Sequence, residues 1–434
     1  MNIHLRTLGC RLNEAELERW AEQFLDLGHT ISTDPLDADL LVINSCAVTR
    51  EAAKKSRQII RRTHQSNPAA RLVLTGCYAS LKPGLRETLP GIDLLISNSE
   101  KDRLVEIVNH QLLKDVLPET GTSPADNPLY QRGRHRAFIK IQDGCRHHCT
   151  YCIVTVARGE ERSRTPADII AQVNRLSAQG VKEVVLTGVH AGGYGSDLDT
   201  NLYKLLQCIL KDTDIPRIRL ASVEPWDLPD DFFELFSNTR LMPHMHLPLQ
   251  SGDDVMLRRM GRRCRTTDFT TLVNRARSTI PDFNITTDII VGFPGETPEH
   301  WQRGLDFIRK TRFSHIHIFP FSPRTGTAAA SMPDRVTDAE RQMRCRELRG
   351  VAMGLREDFL TGQCGRNVPV LFENGGENRE TGRWEYAGYT PNYVRIRVAV
   401  PKDNTSLQNK IREVEITGLT PGADTLTGKL VSAC

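Results

Sequence analysis

The sequence predicts an α/β protein in three parts: an N-terminal parallel α/β domain over residues 1–112, a central partial (β/α)6 barrel over 136–362, and a small C-terminal β-barrel over 365–434. Three observations predict this. Short apolar runs of buried-strand type alternate with segments of helical period as far as about residue 360. A polar stretch carrying Pro118, Gly121, Pro124, Pro128 and Gly133 divides that series and reads as a linker over 113–135. The last block changes to β-formers separated by Gly, Asn and Pro. At 434 residues the chain is also too long for one ordinary core.

In the first part, Ile3–Thr7 is a short strand. Asn13 is the expected N-cap of a helix, and Leu17, Trp20, Phe24 and Leu27 follow at helical spacing until Gly28. Leu40–Ile43, Leu72–Leu74 and Leu94–Ile96 are apolar strands of a sheet buried on both faces. In the second part, six strands are expected at Phe138–Ile141, Glu183–Leu186, Arg217–Leu220, Met245–Leu247, Thr287–Val291 and His315–Phe319. The span is shorter than the roughly 250 residues of an eight-stranded barrel, so a partial barrel fits better. A long helix from about Asp338 to Leu360 leads out of it. In the third part, Val368–Phe372, Tyr393–Val398 and Glu413–Ile416 are the expected strands of a small barrel.

Charged residues make up 25% and hydrophobic ones 39%, a soluble globular profile. No apolar run approaches the roughly 18 residues of a membrane span. The first ten residues lack an apolar signal segment, so a cytoplasmic enzyme without membrane contact is expected. An odd count of eleven cysteines argues against a disulfide framework and for thiol or metal chemistry. The net charge of +4 neither requires nor excludes nucleic acid.

Cys145, Cys149 and Cys152 form a C-x3-C-x2-C triplet in a loop after the first strand of the central part. Three clustered thiolates can hold three irons of a cubane and leave the fourth without a protein ligand. A structural zinc site is the other reading, with His147 or His148 as fourth ligand, although both lie inside the spacer. In the first part, Cys10, Cys46 and Cys77 each sit just past the C-terminal end of an expected parallel strand, the edge at which open α/β sheets bind ligands. A cysteine is often only a small buried hydrophobe. Three at equivalent strand ends point instead to a second cluster with one open iron. Cys208, Cys264, Cys345, Cys364 and Cys434 show no ligand spacing, and lone histidines such as His244 and His317 read as core or surface residues.

A strand followed by C-x3-C-x2-C with an aromatic, Tyr151, before the last cysteine resembles the radical S-adenosylmethionine enzymes. The resemblance implies that S-adenosylmethionine binds the open iron and is cleaved on reduction to a radical. Such a radical abstracts hydrogen from a C–H bond that no general base deprotonates near neutral pH. Leu186–Gly195 is similar to the family's glycine-bearing second strand, and Asp288–Glu296 to the strand–turn beside the adenine. Arg158–Arg164 supplies cations for the cofactor carboxylate. The implied cofactor-binding residues are Tyr151, Arg162, Thr187, Gly188, Gly292 and Gly295.

Two three-cysteine clusters, the second in a preceding α/β domain, resemble the methylthiotransferase subgroup over essentially the whole chain. Leu371–Glu373, Trp384 and Gly388–Val394 resemble a TRAM domain, a small RNA-binding barrel. The resemblance implies two [4Fe–4S] clusters: the Cys10/Cys46/Cys77 cluster holds or supplies sulfur, and the Cys145/Cys149/Cys152 cluster initiates the radical. Among the subgroup's branches, Thr7–Asn13, Asn44–Thr49, the following Ala53–Arg62 and His246–Gly252 match the one acting on N6-threonylcarbamoyladenosine of tRNA (MtaB type). The others act on isopentenyladenosine of tRNA and on a ribosomal protein side chain. Ser45, His190, Gly261 and Cys264 depart from the branch pattern. The implied partners are the tRNA anticodon stem-loop, an electron donor such as flavodoxin or ferredoxin, and a sulfur source. Arg50, Lys54, Arg57 and Arg61 on one helix face, and Arg258, Arg259, Arg262, Arg263 and Arg265, are candidate phosphate contacts. A zinc-stabilised RNA-binding protein without catalysis is the rival of another class.

Overall fold

A computed structural model describes residues 1–89, 91–113, 136–280, 282–378, 382–401, 406–420, 422 and 424–431. The expected linker, apart from Leu113, and Cys434 lie outside the described residues. The chain forms two compact units. The first comprises Met1–Arg164, Thr187–His190 and Ser322–Ala330; the second comprises Thr165–Leu186, Ala191–Phe321 and Ser331–Cys434.

The first unit is built on a five-stranded parallel sheet of β1 (Asn2–Thr7), β2 (Thr30–Ser32), β3 (Leu40–Ser45), β4 (Arg71–Gly76) and β5 (Leu94–Leu95), in the order β2-β1-β3-β4-β5. Side chains alternate across the pleat, so consecutive apolar residues serve opposite cores. Leu40 and Val42 pack with Ile3, Leu5, Trp20 and Phe24 on one face. Leu41 and Ile43 pack with Leu72, Leu74, Ile60 and Tyr78 on the other. Both faces are dry, which is why these strands read as unbroken apolar runs. The edge strand β2 was not expected, because Thr-Ile-Ser carries no such run.

Helix α1 (Arg11–Asp26) starts earlier than expected: Cys10, not Asn13, is its N-cap residue. Asn13 lies inside the first turn and its side chain makes tertiary hydrogen bonds instead. Leu27 is exposed rather than part of the buried face. Helix α2 (Arg50–Ser66) is capped by Thr49, whose hydroxyl accepts from the Ala52 N–H. The unit also holds β6 (Arg136–Lys140) and the short antiparallel pair β7 (Gln142–Asp143) and β8 (Arg162–Ser163). The Ile141 N–H donates to the Thr187 carbonyl at 2.9 Å.

In the second unit, β9 (Glu183–Thr187) pairs in parallel with β10 (Arg217–Leu220), and β11 (His244–His246), β12 (Asn284–Val291) and β13 (His315–Pro320) form a parallel sheet. Single bridges from Ile218 to Leu241 and from Ser222 to His246 join the two groups. Helices Pro166–Ala178, Leu202–Asp212, Thr266–Thr279 and Pro298–Thr311 separate the strands, and Asp338–Thr361 follows. The strand–helix order matches the expected barrel repeat.

The last block closes into a barrel of β14 (Asn367–Glu377), β15 (Trp384–Tyr389), β16 (Arg395–Val400), β17 (Ile411–Leu419) and β18 (Leu426–Leu430), ordered β14-β15-β16-β18-β17. Two of these five strands were not expected, since Gly388 and Gly428 interrupt β15 and β18. Strand β16 begins at Arg395 rather than Tyr393, because Tyr393 adopts a φ of 65° to close a turn onto the Thr390 carbonyl. The barrel docks on the rest of the unit through polar contacts. Arg217 donates to the Tyr389 and Pro369 carbonyls, and Arg219 donates to the Pro391 carbonyl with its guanidinium 4.5 Å from the Tyr393 ring centre. No described helix is long and apolar enough to cross a membrane.

Candidate metal centre and its buried charges

Strands β1, β3 and β4 are neighbours, so the residues after their C-terminal ends share one sheet edge. Cys10 follows β1 as the α1 N-cap, Cys46 directly follows β3, and Cys77 opens the short helix α3 (Cys77–Ser80) after β4. Two glycines let the turns come this close. Gly9, at φ 116°, would carry a Cβ 2.9 Å from the Cys46 sulfur, and Gly76, at φ 98°, would drive one into the Ser45 carbonyl at 2.2 Å. The Ser56 hydroxyl on α2 braces the middle loop, accepting from the Cys46 N–H and donating to its carbonyl. Asn98 donates to the Cys77 sulfur at 3.8 Å and to the Ala157 carbonyl at 2.7 Å.

Burial pushes the Cys46 thiol up to about 11, and neighbouring Cys77 and Cys10 add to the rise. The Cys10 thiol is also raised, by the protein atoms packed around it and by Cys77, although the residue keeps an exposed surface. Cys77 thus opposes the ionisation of both Cys46 and Cys10.

Cys145, Cys149 and Cys152 lie in the loop between β7 and β8, all half-buried. The Cys145 N–H donates to the Gly159 carbonyl and the Cys152 N–H to the Cys149 carbonyl, while the His147 N–H points at the Cys145 sulfur at 3.4 Å. Burial pushes the Cys145 thiol up to about 12, with Cys152 and Cys149 adding to it. The His147 ring meets His190, Nε2 to Nε2 at 3.1 Å, and His190 Nδ1 lies 2.5 Å from Glu161 Oε1. Cys145, Glu161 and His190 have ligand atoms within 4.8 Å of one another. His190, a departure from the branch pattern, thus sits beside the triplet.

Of the other expected residues, Tyr151 is half-buried within the triplet, Thr187 ends β9 and Gly188 follows it. A Cβ on Gly188 would lie 2.9 Å from Gln142 Oε1, so a side chain there would strain the strand contact. Arg162 is exposed on β8. Gly292 and Gly295 belong to the turn after β12, in the second unit. There the Gly292 N–H donates to Glu296 Oε2 and the Gly295 N–H to the Asp334 carbonyl.

Arg158 departs from its expected role. Its guanidinium is buried, donating to Glu16 Oε1 at 3.0 Å, Asp143 Oδ1 at 2.8 Å and Asn13 Oδ1 at 2.7 Å. Lys101 Nζ lies 2.5 Å from Glu16 Oε2, and Lys140 Nζ lies 3.3 Å from Asp143 Oδ2 and 2.6 Å from Asp102 Oδ1. Burial alone would raise the Glu16 carboxyl, but Arg158, Lys101 and Lys140 outweigh it and hold it at about 2. Sequence reasoning missed this network. Its legible signal is Glu16, an acid beside Leu17 and Trp20 among the largely apolar buried residues of α1.

Residues 2–97 match the model described as uncharacterized protein family UPF0004, and residues 139–308 match the Radical SAM superfamily. The threonylcarbamoyladenosine tRNA methylthiotransferase MtaB of Bacillus subtilis is 34% identical, covering 95% of this chain and 93% of its own length. The MtaB of Thermotoga maritima is 38% identical over 86% of each chain. A tRNA-2-methylthio-N(6)-dimethylallyladenosine synthase of Geobacillus kaustophilus is 33% identical over 99% of this chain and 82% of its own. The chain belongs to the radical S-adenosylmethionine tRNA methylthiotransferase family.

Among solved structures, the radical S-adenosylmethionine methyltransferase TsrM from Kitasatospora setae shares the fold, with a TM-score of 0.58 at 16% identity, covering 76% of this chain and 77% of that one. The methylthiotransferase is therefore an enzyme that uses S-adenosylmethionine and [4Fe–4S] chemistry.

The two arginine clusters differ in the structure. On α2 of the methylthiotransferase, Arg50, Lys54 and Arg61 are exposed and Arg57 half-exposed, opposite the buried Ala53, Ser56 and Ile60. In the second cluster, Arg262 is withdrawn from solvent: it pairs with Glu224 and lies 4.4 Å over the Trp226 ring. Arg258, Arg263 and Arg265 remain exposed. Ser45 is fully buried, its hydroxyl donating to the Thr75 carbonyl at 2.5 Å. Cys264 is buried, with its thiol pushed up to about 12 by that burial, as an inert core cysteine would be.

Proposed function

We propose that this methylthiotransferase replaces the C2 hydrogen of N6-threonylcarbamoyladenosine at tRNA position 37 with a methylthio group. The reading of the chemistry rests on two cysteine trios in one compact unit, one at neighbouring strand ends of a single sheet edge and one within a single loop. Relatives whose names state that activity, at 34% and 38% identity, support the substrate, as do Thr7–Asn13 and Asn44–Thr49.

The donor chemistry fits iron–sulfur clusters. Three neighbouring thiolates repel one another unless a cationic core sits between them, and such a core needs no fourth protein ligand. Cys145, Cys149 and Cys152 would hold the initiating cluster, and Cys10, Cys46 and Cys77 the one that supplies sulfur. When bound, the reduced cluster and S-adenosylmethionine supply a carbon-centred radical that abstracts hydrogen from an unactivated C–H bond. Tyr151, Thr187 and Gly188 would line the cofactor's methionine end, with exposed Arg162 as a cation for its carboxylate. Gly292 and Gly295 would flank its adenine. The cations of α2 and the C-terminal barrel would hold the tRNA backbone, since small barrels of this kind carry nucleic acid strands. A flavodoxin- or ferredoxin-class electron donor, a sulfur source and a cytoplasmic setting complete the reading.

The test is the tRNA nucleoside profile of a strain lacking the gene. Loss of 2-methylthio-N6-threonylcarbamoyladenosine, restored by the intact chain, is expected. If that nucleoside persists, the substrate assignment fails.

A further inference from the structure

Five ionic side chains are sealed beside the Cys10/Cys46/Cys77 trio. Lys101, Arg158, Glu16, Asp143 and Lys140 have side chains only 0%, 1%, 2%, 4% and 6% exposed. Three are cations and two are anions. Lys140 also meets Asp102, whose side chain is 49% exposed, at 2.6 Å. The five sealed side chains by themselves sum to one positive charge. Burying charge is costly unless it is compensated, so such a surplus calls for an anion.

The neighbours say where that anion sits. Arg158 acts electrostatically on Cys10, Cys46 and Cys77, and Lys101 on Cys77. The Asn13 side chain that accepts from Arg158 also lies 3.7 Å from the Cys10 sulfur. Lys101 Nζ has three donors, and Glu16 Oε2 at 2.5 Å is the carboxylate it meets. A cubane held by three thiolates carries, in its oxidised state, a single net negative charge that grows on reduction.

We propose that Arg158 and Lys101 are the built-in counter-charge of the N-terminal cluster and set its reduction potential. This rests on the reading that Cys10, Cys46 and Cys77 hold a cluster. Arg158 and Lys101 are positioning residues whose field favours the more negative, reduced cluster. Removing either charge makes that cluster harder to reduce. Glu16 and Asp143 aim the guanidinium, and Asp143 fixes it to the loop that carries Cys145.

The experiment uses the full chain with Cys145→Ala, Cys149→Ala and Cys152→Ala together, so that only the N-terminal site can load. Iron is counted after anaerobic reconstitution, and the potential is read by redox titration followed by electron paramagnetic resonance. About four irons per chain are expected. Arg158→Met and Lys101→Met should each move the potential to more negative values, several times further than the exposed control Lys82→Met. Arg158→Lys should restore most of the loss. If Arg158→Met fails to load iron, Lys101→Met decides. Potentials indistinguishable from the control at full iron loading overturn the inference. No cluster signal in the triple-alanine background overturns the underlying ligand assignment instead.

Discussion

The Arg158 guanidinium donates to the Glu16 carboxylate at 3.0 Å, joining residues 142 positions apart with both side chains almost wholly buried. Glu16 stands on the helix whose N-cap residue is Cys10, and Arg158 ends the short helix after Cys152. One ion pair therefore ties the segment of one cysteine trio to that of the other. Isolated buried charges cost several kcal/mol each, so this pair is held in place by its neighbours Asp143, Asn13 and Lys101 rather than by its own attraction.

Replacing Glu16 should therefore destabilise the first unit strongly. Glu16→Ala leaves Arg158 and Lys101 buried without their shared anion, at a cost of about 3–5 kcal/mol. Denaturant titration of the purified chain, compared with an exposed substitution such as Glu106→Ala, measures it. A change below about 1 kcal/mol would mean that water reaches the cluster.

The same carboxylate sets a pH window. Its pKa is about 2 in the folded chain against 4.5 when free. A carboxyl depressed by folding stabilises fully above its unfolded value and loses that stabilisation as the pH falls through the folded one. Thermal melts should thus show the Glu16 contribution intact above pH 4.5 and lost progressively below it. In Glu16→Gln, the part of the acid sensitivity that Glu16 contributes should be absent.

The two trios should separate in function. Cys149→Ala is expected to abolish both 5′-deoxyadenosine formation and product, because cofactor cleavage needs the Cys145/Cys149/Cys152 site. Mass spectrometry of both species after a reduced, anaerobic assay checks this.

Cys46→Ala, in contrast, should spare uncoupled cofactor cleavage while methylthiolation stops. Loss of both together would contradict the division of labour between the trios. Cys46 is the informative choice because its loop is braced separately by Ser56 and its side chain is small.

Phosphate contact by α2 predicts a salt effect. Each of Arg50→Ala, Lys54→Ala and Arg61→Ala should reduce the slope of log affinity for tRNA against log salt by about 1 if that residue neutralises a phosphate. These side chains are exposed, so folding should be unaffected. For the C-terminal barrel, Arg395→Ala tests the same point better than truncation after Leu360. Leu360 is buried in the barrel core, and Arg217 and Arg219 would lose the carbonyls that satisfy them.

Most of the architecture was legible because its signals are local. Apolar runs such as Leu40–Ile43 and Leu72–Leu74 announce strands buried on both faces, and the Gly-Cys and Ser-Cys turns after them mark one sheet edge. The misses are tertiary in origin. Asn13 has the chemistry of a cap, yet its side chain is spent on Leu8 and Arg158. Arg262 reads as a phosphate contact beside its neighbours, yet Glu224 and Trp226 withdraw it. Strands β15 and β18 were obscured by glycines that barrel closure tolerates.

By itself the sequence determined the two cysteine trios, the strand–helix order and the family, because spacing, period and motif are properties of neighbouring residues. Only the tertiary structure decided which charges accompany the thiols. Lys101, Lys140, Asp143 and Arg158 are scattered along the chain and look like ordinary solvated ions there, and Glu16 alone stands out, beside Leu17 and Trp20. Their pairing is a long-range electrostatic fact, fixed when folding removes the water that would otherwise have screened each one.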